Sequence, residues 1–247
     1  MARTFLIRGM ICGIIVGLLV FAYAKLFGEP AVDGAIGVEE LLAKASGEVP
    51  GPDLVSRDLQ STWGLFTGVM LFSTAIGGLF SLLFAYAWGR MGKLGARASA
   101  MVLAGASFVA IYAVPFLKYP ANPPSVGNPE TIGYRTELYF GMIVISIVAM
   151  VAVLNLSVAL AQRMERWHAA LIGGAVYLAV IAVAYAVMPS INEVPEAFPA
   201  TLLWSFRITA VAMQLILWGG VGLLFGELTQ RSLSHPAVPA AAARRAT

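Results

Sequence analysis

"LYFGMIVISIVAMVAVLNLSVALA", residues 138–161, holds no charged side chain from end to end. A helix needs about 20 predominantly apolar residues to cross the hydrocarbon core of a bilayer, and this run exceeds that. It shows no alternation of apolar and polar positions, so a barrel strand is not indicated. A helix satisfies its own backbone in lipid, and a lone strand does not. Five further runs of the same character lie at roughly 5–27, 62–89, 98–116, 169–188 and 204–226. The whole chain agrees, with 59% hydrophobic and 12% charged residues, where a soluble domain is about half apolar and a quarter charged. The expected fold is all-α, a polytopic transmembrane helix bundle of six spans arranged as three hairpins. Residues 1–230 would form a single integral-membrane domain. Residues 231–247, ending in "SHPAVPAAAARRAT", lack any apolar period and would form a disordered cytoplasmic tail.

Glycine spacing fits packed helices. Gly9, Gly13 and Gly17 share one face of the first span, Gly64 and Gly68 one of the second, and Gly222 and Gly226 one of the last. Such faces let backbones approach closely in lipid. The N-terminus also admits a rival reading. Arg3, Arg8, an apolar core and "AYA" (Ala22–Ala24) before Lys25 have the form of a secretory signal with a small-residue cleavage site. Cleavage would leave five spans.

Charge gives an orientation. Arg3, Arg8, Arg90, Lys93, Arg97, Arg163, Arg166, Arg231, Arg244 and Arg245 fall on one set of connectors and termini, with only Glu165 and Glu227 as acids. The other acids fall on the opposite set. By the positive-inside rule the basic connectors and both termini are cytoplasmic. The expected location is the bacterial inner (cell) membrane, multi-pass, with the long proline-rich connectors facing outward.

Several function classes drop out. The net charge of +3 comes with no basic block interleaved with aromatics, so nucleic acid is not an expected partner. Cys12 is the single cysteine and lies inside an apolar run, which excludes an internal disulfide or a multi-cysteine metal site. His168 and His235 each lack a second ligand nearby. No Gly-x-Ser-x-Gly, His-Glu-x-x-His or phosphate loop occurs, so no enzyme is expected.

The outer connectors carry the chemistry. The first, Phe27–Gln60, contains Glu29, Asp33, Glu39, Glu40, Glu48, Asp53 and Asp58 against Lys44 and Arg57. Such an excess of carboxylates concentrates cations at the mouth of a cleft. Within it "VDGAIGVEELLAKA" has a helical rhythm, and would lie along the membrane surface or cap the bundle. The second, "KYPANPPSVGNPETIGYR" (Lys118–Arg135), is stiffened by its prolines, so that it presents its carbonyls and the amides of Asn122 and Asn128 in set directions. Tyr119, Tyr134 and Tyr139 fit an interfacial aromatic belt. The third, Met188–Arg207, sets Glu193 and Glu196 three apart beside Asn192, with Arg207 able to pair with either acid. Arg57, Arg135 and Arg207 each follow a proline-led stretch ("PDLVSR", "PETIGYR", "PATLLWSFR"), a weak threefold echo.

The segments "GEPAVDGAI", "VSRDLQSTWG", "VPFLKYPANPPSVGNPETIGYR" and "INEVPEAFPATLLWSFR" together resemble the CbtA family, the proposed membrane subunit of a vitamin B12-regulated cobalt transporter. The resemblance covers about residues 5 to 230. It implies cobalt uptake and a small single-span, histidine-rich CbtB-like subunit as partner. It also implies cobalt(2+) as the transported ion, with no cofactor held permanently. Many family members carry histidines in the first outer loop, where this chain reads "EELLAKASGEVPGP". Since imidazole binds such ions better than carboxylate, either the partner supplies the nitrogens or this chain carries something else.

The expected metal-attracting or entrance residues are Glu29, Asp33, Glu39, Glu40, Asn122, Asn192, Glu193 and Glu196. Arg57, Lys118, Arg135 and Arg207 are expected to pair with acids and hold the hairpins in register. The lipid bilayer is the surrounding solvent, and a homo-oligomer stays open. The alternative function is a non-transporting membrane scaffold whose outward-facing loops dock a partner protein. A fainter one is a membrane enzyme using Lys118 and Glu193 as acid and base.

Overall fold

The structure, a computed structural model, describes residues 2–47, 55–124 and 126–234. Glu48, Pro52, Asp53 and the part of the tail from 235 onward, His235 included, lie outside the described residues. Among the described residues, six helices are long and apolar enough to cross a membrane: α1 (Ala2–Ala45), α2 (Arg57–Ala87), α3 (Ala96–Lys118), α4 (Pro129–Leu160), α5 (Arg166–Val187) and α6 (Ala200–Ser234). Among the described residues there is no strand. Each predicted span overlaps one helix. The largest differences are at polar ends: α1 runs well past residue 27 and α4 begins at Pro129, because helical hydrogen bonding continues where the side chains stop being apolar. π-helical turns interrupt three helices, at Ala24–Gly28, Gln60–Gly64 and Phe108–Ala113. Such turns re-aim side chains within a helix and recur at functional sites.

The chain divides into two compact units, one of residues 1–22, 58–105 and 215–247, the other of residues 23–57 and 106–214. In the first, glycines set the packing. A Cβ on Gly13 would overlap the Ser73 carbonyl, and one on Gly9 the Gly77 carbonyl, so α1 and α2 meet backbone to backbone. Phe84 and Phe225 are fully buried. They meet edge to face at 5.0 Å, and Phe5 and Phe80 complete the aromatic cluster. Gly222 and Gly226 receive Ala104 and Ala100 of α3. Polar contacts close the ends: Arg8 donates to Thr229 Oγ1 at 3.0 Å, and Arg97 and Arg231 both pair with Glu227.

In the second unit α4 and α5 pack along their lengths. Met142, Ala149 and Val153 meet Tyr177, Ile181 and Ala184 in one apolar cluster. Within it Ser146 Oγ and Tyr177 OH share a buried hydrogen bond of 2.7 Å. The C-terminal part of α1 packs on the two proline-rich connectors. Ala35 is fully buried against Val126 and Phe198, and Gly34 lies under Leu202. These contacts join the stretch "VDGAIGVEELLAKA" to both connectors.

Candidate functional site

Glu29 and Asp33 lie one turn apart on α1, so both face the same way. Arg57 takes both, donating from Nη2 to Glu29 and from Nε to Asp33 Oδ1 at 2.9 Å. Glu29 is buried and Asp33 largely exposed. Arg57 is therefore a brace that ties the end of the first outer connector back onto the helix that leads into it.

The second and third connectors are tied to each other more densely. Lys118 donates to the Tyr185 carbonyl at 2.8 Å and to Ser190 Oγ at 3.2 Å, and Tyr119 OH donates to the Pro189 carbonyl at 2.8 Å. Burial, then Tyr134, raises the Tyr119 phenol above its ordinary pKa. Glu193 accepts from the Asn128 amide at 2.7 Å and from Thr131 Oγ1 at 2.7 Å, with Arg135 Nε at 3.4 Å. Those donors, Thr131 first, then Asn128 and Arg135, lower the pKa of the Glu193 carboxyl. In the other direction Arg207 of α6 reaches into the second connector, donating to Asn122 Oδ1 at 2.8 Å and to the Ala121 carbonyl at 3.3 Å. The exchange is reciprocal: Arg135 of α4 holds an acid of the third connector, and Arg207 holds carbonyl and amide oxygens of the second.

One glycine is required by this arrangement. Gly127 has φ +115°, a region side chains avoid, and a Cβ there would collide with the Arg135 guanidinium. The Arg135 Nη2 donates to the Asn128 carbonyl at 3.2 Å, so the turn and the guanidinium are fitted together.

These elements line an open-sided cavity of roughly 640 Å³. Its polar lining comes from Tyr112, Asn122, Arg135, Asn192, Glu193 and Arg207, its apolar lining from residues such as Phe116 and Val126. Tyr112 is 9% exposed, and its hydroxyl is buried with no hydrogen-bond partner among the described residues. Arg135 Nε is likewise buried and, apart from its 3.4 Å approach to Glu193, makes no hydrogen bond.

The cavity brings together Asn122, Asn192 and Glu193 of the expected entrance residues. It does not gather the others: Glu29 and Asp33 are engaged by Arg57, while Glu39, Glu40 and Glu196 are exposed and lie outside the lining. Among the described residues no group of three or more His, Cys, Asp or Glu could hold a metal ion. Of the four expected pairing cations, Arg57 and Arg135 meet acids. Lys118 and Arg207 meet neutral oxygens instead, because the loop carbonyls at helix ends and turns lack partners of their own and accept what is nearest. Two contributors were not anticipated. Thr131 gave no signal beyond its place in "NPET". Tyr112 could have been noticed as a hydroxyl set just inside the outer end of an otherwise apolar span.

A family model described as "Probable cobalt transporter subunit (CbtA)" matches residues 2–230. The chain belongs to the CbtA family. Comparison with the curated proteins and with the solved structures finds no match in either. The CbtA description names a subunit of a transporter, which fits a multi-pass membrane protein and argues for a component that works with a partner.

Proposed function

We propose that the chain is the membrane subunit of a cobalt, or related divalent metal cation, uptake transporter in the bacterial inner membrane, with both termini cytoplasmic and the cavity facing outward. Family membership supports the cobalt reading, and the observation that carries it to a site is the gathering of Asn122, Asn192 and Glu193 around one cavity built from two connectors. The carboxylates of the first connector raise the local concentration of cations. A small single-span, histidine-rich CbtB-like subunit supplies the imidazoles that the described residues do not gather, and a second copy of the chain is a further candidate partner. Cobalt(2+) is cargo, no cofactor is held permanently, and the chain carries no catalysis of its own. Residues 1–230 act as one integral-membrane domain, with 231–247 as a cytoplasmic tail.

The scaffold reading has one observation in its favour. Both Glu193 oxygens are already engaged by donors, and the arginine exchange makes the connectors a stiff surface of the sort a partner docks on.

The deciding experiment measures cobalt and nickel accumulation in cells lacking other uptake routes, expressing the chain with and without the histidine-rich subunit, beside a Glu193→Gln variant. Accumulation that requires the chain and falls in the variant is the expected result. Metal levels that never respond, together with a partner complex weakened by Glu193→Gln, would replace transport with docking.

A further inference from the structure

The cavity's lining suits a bare divalent cation poorly. Arg135 and Arg207 bring two positive charges and Glu193 one negative charge, and that carboxylate is spent on Thr131, the Asn128 amide and Arg135. A dication entering here meets net positive charge and no group of three or more His, Cys, Asp or Glu able to hold a metal ion among the described residues. The cavity, at roughly 640 Å³, also has room for more than a hydrated metal ion. That volume lies in the range of about 300–1,000 Å³ common for small-molecule sites.

What the cavity does offer is donors. Tyr112 is nine-tenths buried and its hydroxyl lacks an acceptor, Arg135 Nε is buried with only its 3.4 Å ion-pair approach to Glu193, and Arg207, which also holds Asn122 and Ala121, adds a second guanidinium. A buried donor left without a partner costs stability, and a ligand acceptor placed there recovers it. Planar guanidiniums are matched to carboxylates.

We propose that the cavity takes its cargo as a carboxylate chelate of the divalent metal, with chelate carboxylates on Tyr112 and Arg135 beside Arg207, rather than as the bare ion. The inference rests on the transport reading and names its substrate class. In such a chelate the carboxylates carry the recognition, the metal travels with them, and the net negative charge of the complex meets the net positive charge of the lining. The histidine-rich partner is then placed to take the metal from the chelate.

Calorimetry on the purified full chain in detergent tests this with three probes: cobalt chloride, metal-free citrate, and the one-to-one cobalt–citrate complex. Cobalt–citrate is expected to bind at least as tightly as citrate alone, and cobalt chloride alone to give no binding at the site. Tyr112→Phe removes only the orphaned hydroxyl, so the variant should melt no lower than wild type yet bind the chelate about tenfold to a hundredfold more weakly. Arg135→Gln should weaken it at least as much. No binding of cobalt–citrate, unchanged binding in Tyr112→Phe, or a preference for metal-free citrate would each overturn the proposal. Parallel uptake assays keep the two claims apart. Chain-dependent uptake from cobalt chloride that ignores Tyr112→Phe overturns the chelate site and leaves transport standing. Chelate binding that depends on Tyr112, without chain-dependent uptake, retains the site and removes transport.

Discussion

The two units solve the problem of cohesion in lipid by different means. In the unit of residues 1–22, 58–105 and 215–247, Gly9 and Gly13 bring α1 onto α2 backbone to backbone, and phenylalanines fill the rest. In the unit of residues 23–57 and 106–214, arginines and a lysine reach across connectors to loop oxygens and leave a cavity among them. Without a hydrophobic drive between helices, dispersion at close range and polar contacts are what remain. Close backbone contact leaves no room between α1 and α2 at Gly9 and Gly13. Long polar side chains spanning loops give order and leave space between them. Among the described residues, buried polar atoms without a hydrogen bond occur in both units, Ser73 Oγ and Trp218 Nε1 in the first and Tyr112 OH and Arg135 Nε in the second, and Tyr112 and Arg135 belong to the lining of the second unit's cavity.

Steric and electrostatic substitutions should separate these two modes. Gly13→Leu has the largest expected effect, because its Cβ alone would overlap the Ser73 carbonyl and press on Thr74 Cα at 2.9 Å. Neither is a flexible side-chain tip, so about 3 kcal/mol should be lost, read as a lower melting temperature in detergent that added salt does not change. A mature N-terminus lacking this segment would cancel the effect, and intact-mass measurement on the same sample decides that. Arg57→Ala comes next. It leaves Glu29, 8% exposed, without its guanidinium and should cost about 1–3 kcal/mol. Arg57→Lys should recover only part, since a point charge cannot serve Glu29 and Asp33 as the forked guanidinium does. Unlike the glycine substitution, this loss should shrink as salt screens the exposed Asp33 partner.

How much of this was legible in the sequence follows from what sequence periodicity records. Bilayer-length apolar runs announce all six helices, since crossing lipid constrains every residue in the run. The glycine ladder of α1 was legible for the same reason, because close approach tolerates no side chain at Gly9 or Gly13. The arginines at 57, 135 and 207 stood out as charges beside apolar helices, but their partners did not. Whether Arg207 meets Glu193 or Asn122 depends on how two loops cross, and no local pattern encodes that. Tyr112 escaped for a related reason. Its aim depends on the π-helical turn Phe108–Ala113, which has no sequence signature.

Gly127→Ala probes the connectors without removing a charge. At φ +115° an alanine is strained by about 1–3 kcal/mol. Its methyl would also displace the Arg135 guanidinium, so hydrogen exchange should speed up at Asn128 and Thr131 together. Exchange that speeds up at Gly127 alone would mean that turn and guanidinium are not coupled, and the second unit would look less like a mutually braced set of loops.

The finest test of that bracing uses protons. Thr131, the Asn128 amide and Arg135 all favour the charged form of Glu193, so its folded pKa lies below the ordinary 4.5. Between those two values the unfolded chain binds a proton that the folded one does not, and stability falls as pH falls. The contribution is therefore fully present above pH 4.5 and disappears as pH drops through the lower, folded value. The Asn128 amide reports on it directly, because it donates to Glu193 at 2.7 Å. Its protection factor should stay flat above pH 4.5 and decline below, while the amides of α1 and α2 near Gly13 and Ser73, which meet no such carboxylate, stay level. In Glu193→Gln the amide oxygen can still accept from Asn128, but the acid dependence should vanish. A decline that persists in that variant would move the titrating group elsewhere. Parallel declines in both units would mean that the contrast between steric and polar cohesion does not extend to their response to acid.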